Sequence, residues 1–218
     1  MNFAQGEING LIVRTAPLGP IATNCYVVAC ARTLIGAIID CSAEPERITE
    51  MIEASPALKI SALLQTHAHI DHVAALSAMK AKLGAPIHVH ASELPLYDAA
   101  PTQGLMLNMR VSPLPRPDVF LKEGEVLELG NLRARVLETP GHTPGGVCFY
   151  FEAQAVLFTG DLLFAGSIGR TDLPGGHFPT IEASLARMKE LPEETIVLSG
   201  HGPQTSIGRE LKVNPFLR

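Results

Sequence analysis

The stretch Thr66-His67-Ala68-His69-Ile70-Asp71-His72 sets the reading of the whole chain, because three imidazoles and a carboxylate occupy six consecutive positions. In an extended segment, side chains two residues apart point the same way, so His67 and His69 can grip one ion together. Asp71 and His72 project differently and can hold a second. Imidazole nitrogen and carboxylate oxygen suit divalent zinc, iron or manganese. The alternative is a surface-loop run of histidines of tag type, and ligands elsewhere in the chain decide between the two.

Upstream, Gly10 to Thr15, Cys25 to Ala29 and Leu34 to Ile39 are short apolar, β-branched runs separated by turn residues, and each reads as a strand. Ala43 to Ala54 reads as a helix with acidic residues in its first turn. Lys59 to Gln65 is a strand that delivers the chain into the histidine cluster, and the spacing from His72 to Leu83 is helical, with Gly84 as its stop. The cluster is therefore a strand-to-helix loop. Pro86 to His90 reads as a further strand whose His88 and His90 are edge or surface residues rather than ligands. Prolines at 101, 113, 115 and 117 mark an irregular covering loop between Ala99 and Pro117.

Downstream, Val126 to Leu129 and Leu132 to Leu137 flank Gly130-Asn131 as a hairpin, which runs into Thr139-Pro140-Gly141-His142. Val147 to Phe151 and Ala155 to Phe158 form another, ending in Gly160-Asp161. Ile181, Leu185, Met188 and Leu191 mark one face of a helix. Thr195 to Leu198 reads as the last strand and ends in Ser199-Gly200-His201-Gly202. His67 to His72, His142, Asp161 and His201 thus each follow a predicted apolar strand, with glycines at 141, 160, 200 and 202 allowing tight turns toward a common centre.

Seven ligands suit two ions with one bridging carboxylate. A consistent allocation puts His67, His69 and His142 on one ion, Asp71, His72 and His201 on the other, and Asp161 between them. Two divalent cations outweigh two aspartates, so the centre attracts an electron-rich carbonyl and an anionic substrate. Ions about 3.5–4 Å apart lower the pKa of a bridging water toward ~7 and polarise the carbonyl under attack. This is metal-assisted hydrolysis by a metal-bound hydroxide, in which Asp71 can also take up a proton. Asp40, another strand-end carboxylate, either orients a ligand histidine or caps the next turn.

The 218 residues fit one domain over 1–218, and 46% hydrophobic with 18% charged residues describes a globular enzyme. A net charge of -5 without a Lys/Arg block argues against a nucleic-acid backbone as the main partner. No apolar run reaches the roughly 18 residues that span a bilayer, and Met1 to Gly10 lacks leader character, so a cytoplasmic location without membrane association is expected. Cys25, Cys30, Cys41 and Cys148 lack CxxC spacing and read as buried free thiols. The GxSxG, P-loop and GxGxxG patterns of serine hydrolases and nucleotide binders are absent.

Thr66 to His72, Gly141-His142, Gly160-Asp161 and Gly200-His201 resemble the metal motifs of the metallo-β-lactamase superfamily, in order and spacing, over residues 21 to 202. The resemblance implies an α+β fold, a four-layer αββα sandwich with a two-metal site at one edge of the sheets. Phe164 to Asp172 is similar to the small bacterial glyoxalase II-like hydrolases, thioesterases of the hydroxyacylglutathione hydrolase kind. That similarity implies a small thioester substrate, S-lactoylglutathione or a relative, and two divalent ions, zinc with iron or manganese as alternatives. Arg170 matches the family's basic residue near the glutathione moiety, or else ties down its own loop through Asp172. Two features depart from the family: Asp172 stands where it has an aromatic residue, and about 17 residues follow His201, where full-length glyoxalase II carries a helical region that completes its glutathione site.

The Gly169-Arg170-Thr171-Asp172 segment also resembles mononuclear iron persulfide dioxygenases, an alternative that uses two histidines and one aspartate. A nuclease of the same superfamily is a third reading, disfavoured by the acidic balance. Lactonase and β-lactamase activities stand as side reactions. The sequence leaves the oligomeric state open.

Overall fold

The computed structural model describes residues 3–109 and 111–218; Met1 and Asn2 of the amino-terminal segment and Arg110 of the proline-bearing stretch lie outside them. β1 (Ala4–Ile8) turns at Asn9-Gly10 into β2 (Leu11–Leu18), which pairs along its length with β3 (Thr23–Cys30). The sequence pattern reveals β2 and β3 but not β1, whose residues are mostly exposed and lack apolar alternation. β4 (Ile35–Ile39) completes the antiparallel run. After α1 (Pro45–Glu53) the chain switches to parallel pairing, with β5 (Lys59–Leu64) beside β4. Parallel neighbours need crossover connections.

The helix expected from His72 to Leu83 is two helices, α2 (Ile70–Val73) and α3 (Leu76–Leu83). The break has a local cause: the Ala75 N–H donates to Cys41 O at 2.9 Å, in the loop after β4, instead of continuing the helical ladder. β6 (Ile87–His90) follows, then α4 (Leu94–Asp98), α5 (Ala100–Met106) and β7 (Val119–Leu121). The stretch expected as an irregular loop therefore begins as a helix. Pro101 sits in the first turn of α5, where a missing N–H breaks no helical bond.

The second half holds β8 (Val126–Leu129), β9 (Leu132–Glu138), β10 (Val147–Phe151), β11 (Val156–Gly160), the small hairpin β12 (Leu163–Phe164) and β13 (Ser167–Ile168), α6 (Phe178–Met188), β14 (Ile196–Ser199), β15 (Thr205–Ser206) and α7 (Ile207–Val213). β14, expected as the last strand, is followed by a two-residue strand too short to leave a pattern. The first sheet runs β1 to β7 in sequence order, and the second runs β15-β14-β11-β10-β9-β8.

Three apolar clusters stack these elements. Val27, Ile38 and Leu63 face Ile48, Met51, Leu76, Met79 and Tyr97 on one side of the first sheet. Val28, Ile39 and Leu64 meet Val136, Phe149 and Phe158 between the sheets. Tyr150, Leu157 and Val197 face Ile181, Leu185, Met188 and Ile207 beyond the second. Alternate residues of one strand thus serve different clusters, as period-two geometry requires, and the layers are helix, sheet, sheet, helix. This is the αββα sandwich of an α+β fold. The four cysteines are buried and free. Among the described residues, no helix is long and apolar enough to cross a membrane.

Phe158 lies at the centre of the seam, 5.1 Å from the Tyr26 ring and 5.8 Å from that of Phe151. Phe158→Ala is expected to remove about 3–5 kcal/mol of stability in denaturant unfolding. A loss below about 1 kcal/mol would mean that the sheets do not depend on this contact.

Candidate metal centre

β5, β9, β11 and β14 release the chain at one edge of the sandwich, so the four motifs meet there. Backbone bonds stitch the exits together. Val147 N–H donates to Thr66 O at 2.9 Å, and Asn24 N–H donates to Gly200 O at 2.7 Å, each joining one sheet to the other. Gly141, Gly160 and Gly202 have positive φ, as their place in tight turns suggests. Gly200 serves differently: a Cβ there would collide with Asp161 Oδ1 and lie 2.6 Å from His72 Cε1.

Three groups of side chains each bring their ligand atoms within 4.8 Å of one another: His67, His69 and His142; His67, His72 and Asp161; and Asp71, His72 and His201. All seven residues anticipated as ligands are therefore brought together. Asp161 lies between the outer groups. Its Oδ1 is 3.4 Å from His72 Nε2, while its Oδ2 is 3.6 Å from His142 Nε2 and 3.5 Å from His201 Nε2. Asp71 Oδ2 is 3.2 Å from His72 Nε2 and 3.3 Å from His201 Nε2.

The outer hydrogen bonds fix the tautomers. Asp40 accepts from Thr66 N–H, from Thr66 Oγ1 and from His72 Nδ1, each at 2.8 Å. The Thr66 hydroxyl directs its one O–H to Asp40, so it accepts from His67 Nδ1 at 3.0 Å. His142 Nδ1 donates to Arg170 O at 2.7 Å. Each of these histidines thereby turns its Nε2 inward, the arrangement in which a carboxylate or carbonyl orients a ligand imidazole. His69 instead presents Nδ1, 2.9 Å from His142 Nε2. Of the two roles open to Asp40, contact with a candidate ligand histidine is the one its geometry supports.

His67 Nε2, His72 Nε2 and Asp161 Oδ1 are buried without any hydrogen-bond partner. Converging buried lone pairs of this kind are unfavourable unless a cation meets them, so the donor set fits divalent metal. Burial and the neighbouring His72 hold His67 well below the usual histidine range. Burial and His142 bring His69 down to about 4, so both rings are neutral and able to ligate near pH 7. Burial opposes charge on His72, but Asp71, Asp161 and Asp40 outweigh it and raise its pKa. His201 is raised to about 9, burial again being outweighed, here by Asp161 and Asp71. Burial works against ionisation of Asp71 and Asp161 too, yet the surrounding histidines, His72 first, hold both carboxyls far below the ordinary carboxylate range.

His88 and His90 lie outside these groups, and His90 pairs with Glu138 at 3.2 Å. Arg170 is mostly exposed and forks onto Asp172 at 2.6 and 2.7 Å. Its carbonyl, not its guanidinium, reaches a candidate ligand. Sequence reasoning missed several supports. Thr23 Oγ1 donates to Asp71 Oδ2 at 2.7 Å, and the Tyr26 hydroxyl donates to Ser199 O at 2.6 Å. Asn24 Nδ2 donates to Ser199 O and Gly202 O, and Glu93 accepts from two loop amides. Asn24 and Tyr26, polar tips within an otherwise apolar strand, were the available signal; Glu93, beside a helix start, looks like an ordinary first-turn acid.

The chain is similar to known proteins over most of its length. A family model described as the metallo-beta-lactamase superfamily matches residues 18–201. Hydroxyacylglutathione hydrolase GloC of Haemophilus influenzae is 40% identical over 190 residues, covering 83% of this chain and 86% of that protein. The probable metallo-hydrolase YqgX of Bacillus subtilis is 38% identical over 207 residues, covering 94% and 96%. The crystal structure of TTHA1623 in a di-iron-bound form superposes with a TM-score of 0.85 at 40% identity, covering 92% of this chain and 98% of that one. With its fold, its converging donors and matches over nearly its whole length in agreement, the chain belongs to the metallo-beta-lactamase superfamily.

Proposed function

We propose that this metallohydrolase is a dinuclear thioesterase of the cytoplasm, cleaving S-lactoylglutathione or a related small acyl thioester. The observation that carries the reading is the Asp161 carboxylate, which lies 3.6 Å from His142 of the first group and 3.4 and 3.5 Å from His72 and His201 of the second. His67, His69 and His142 would hold one ion, Asp71, His72 and His201 the second, and Asp161 both. Divalent ions, zinc with iron or manganese as alternatives, would supply an ionised water near neutral pH and polarise the scissile carbonyl.

The chain's own residues prepare that chemistry. Asp40, Thr66 and the Arg170 carbonyl keep ring protons on the outer nitrogens, leaving the inner ones as donors. The environment that holds Asp71 ionised favours its ligand role over proton uptake. Thioester chemistry is supported by the similarity to GloC, and a pair of ions by the similarity to a di-iron protein. The complete second group, Asp71, His72 and His201, favours this reading over the mononuclear iron dioxygenase, which would leave those donors idle. The guanidinium Nη1 that Asp172 does not engage is suited to a substrate carboxylate.

The purified protein is expected to hydrolyse S-lactoylglutathione, to lose activity on chelation and to regain it with zinc, manganese or ferrous iron. Failure to cleave any thioester would overturn the proposal, as would oxygen consumption on glutathione persulfide with one iron per chain.

Asp40→Ala is expected to lower metal affinity or activity about 10–100-fold, the usual effect of losing a ligand's outer partner. Wild-type behaviour would show that the Asp40 contact does not set the ligand role of His72.

Arg170→Ala should raise KM about tenfold with little change in kcat, as expected for a charged hydrogen bond made equally in ground and transition states. An unchanged KM would assign Arg170 to its bond with Asp172 alone.

A further inference from the structure

Glu93 stands apart from the ligand set, yet it is 0% exposed. It ends the short 3-10 turn Ala91–Glu93 between β6 and α4. A buried carboxylate must have hydrogen-bond partners to remain tolerable there. It takes two backbone amides: Oε2 accepts from Ala68 N–H and Oε1 from Gly145 N–H, both at 2.7 Å.

Those amides belong to the two loops that deliver the first histidine group. Ala68 lies between His67 and His69, and Gly145 lies three residues after His142. The approach is close enough to need glycine: a Cβ at 145 would lie 2.6 Å from His90 Nδ1 and 3.0 Å from Glu93 Cγ. One rigid carboxylate therefore spans two loops that enter from different sheets. Gln103 also touches the first loop, with its Oε1 accepting from Ile70 N–H at 3.2 Å, but its other bonds go to Leu96 O and Ala68 O. Its bonds do not reach the His142 loop.

We propose that Glu93 is a positioning residue, which fixes the spacing of His67 and His69 relative to His142 and so sets the affinity of the metal position those three residues form. The proposal rests on the ligand assignment given above. A carboxylate is required because both partners are donors. Glutamine in the same place would offer one acceptor and turn an NH2 group onto the other amide, leaving a buried donor unpaired.

The test titrates zinc into metal-free wild-type and Glu93→Gln protein against a chromophoric chelator, with far-UV circular dichroism as the check on folding. In Glu93→Gln, one zinc equivalent is expected to weaken about 10–100-fold, with the fold retained and kcat largely recovered at saturating zinc. A loss of packing alone would lower thermal stability without that split between affinity and kcat. Affinities for both equivalents within about twofold of wild type would overturn the Glu93 role while leaving the ligand assignment standing. A wild-type protein that binds no zinc would overturn the assignment and this role with it. Should Glu93→Gln fail to fold, Glu93→Asp decides by the same titration. It keeps the charge but is one methylene too short for both amides, so wild-type affinity in it, or failure of both variants to fold, overturns the proposal.

Discussion

Lone pairs buried without partners are the constraint around which this molecule is arranged. His67 Nε2, His72 Nε2 and Asp161 Oδ1 face one another at the edge of the sandwich with no hydrogen bond to any of them. A protein that buries such groups must either protonate them or meet them with a cation. Protonation is blocked at His67 and His69, where burial and neighbouring rings hold both imidazoles neutral, and the outer hydrogen bonds already fix which nitrogen carries the proton. Metal meets the lone pairs that stay unprotonated, and at His72, whose pKa the aspartates raise against burial, it would take the place of a proton. It accounts for why these histidines turn the nitrogens they do toward one another.

The rest of the fold keeps those lone pairs in register. Two sheets pack through Phe149, Phe158, Val28 and Leu64, and the seam ends where the four strand exits meet. The strands alone would not align the loops, since each loop leaves its strand independently. Alignment comes from bonds that cross the seam, among them Val147 to Thr66, Asn24 to Gly200 and the Tyr26 hydroxyl to Ser199. Gly200 contributes by having no side chain, which lets Asp161 and His72 approach its backbone. The site is thus supported by rigid elements rather than by loops alone.

Much of this is legible in the sequence, for a physical reason. Strands buried on one or both faces leave apolar runs, and a ligand placed at the end of such a run is visible as a polar residue after it. His142, Asp161 and His201 are read that way, and the pattern of runs places the helices at Ile181 and Ile48 correctly. The misses have causes as definite. β1 is an exposed edge strand, β15 is two residues long, and α5 sits in a segment whose prolines suggest a loop although Pro101 occupies a permitted helix position. Asp40 is visible as a strand-end carboxylate, but its partner His72 is not, because that contact depends on which strands lie side by side. Thr23 acts across more than 20 residues through one hydrogen bond and Glu93 through two, and no local pattern encodes those. Arg170 illustrates the opposite case: the side chain drew attention, but the backbone carbonyl touches the candidate site.

The central claim is that two cations share the Asp161 carboxylate. Elemental analysis of the purified full chain, with wild type beside Asp161→Asn, tests it most directly. The account predicts two divalent ions per wild-type chain and a lower content in the variant, because the carboxylate facing both groups is lost. A single ion per wild-type chain, unchanged by Asp161→Asn, would contradict it.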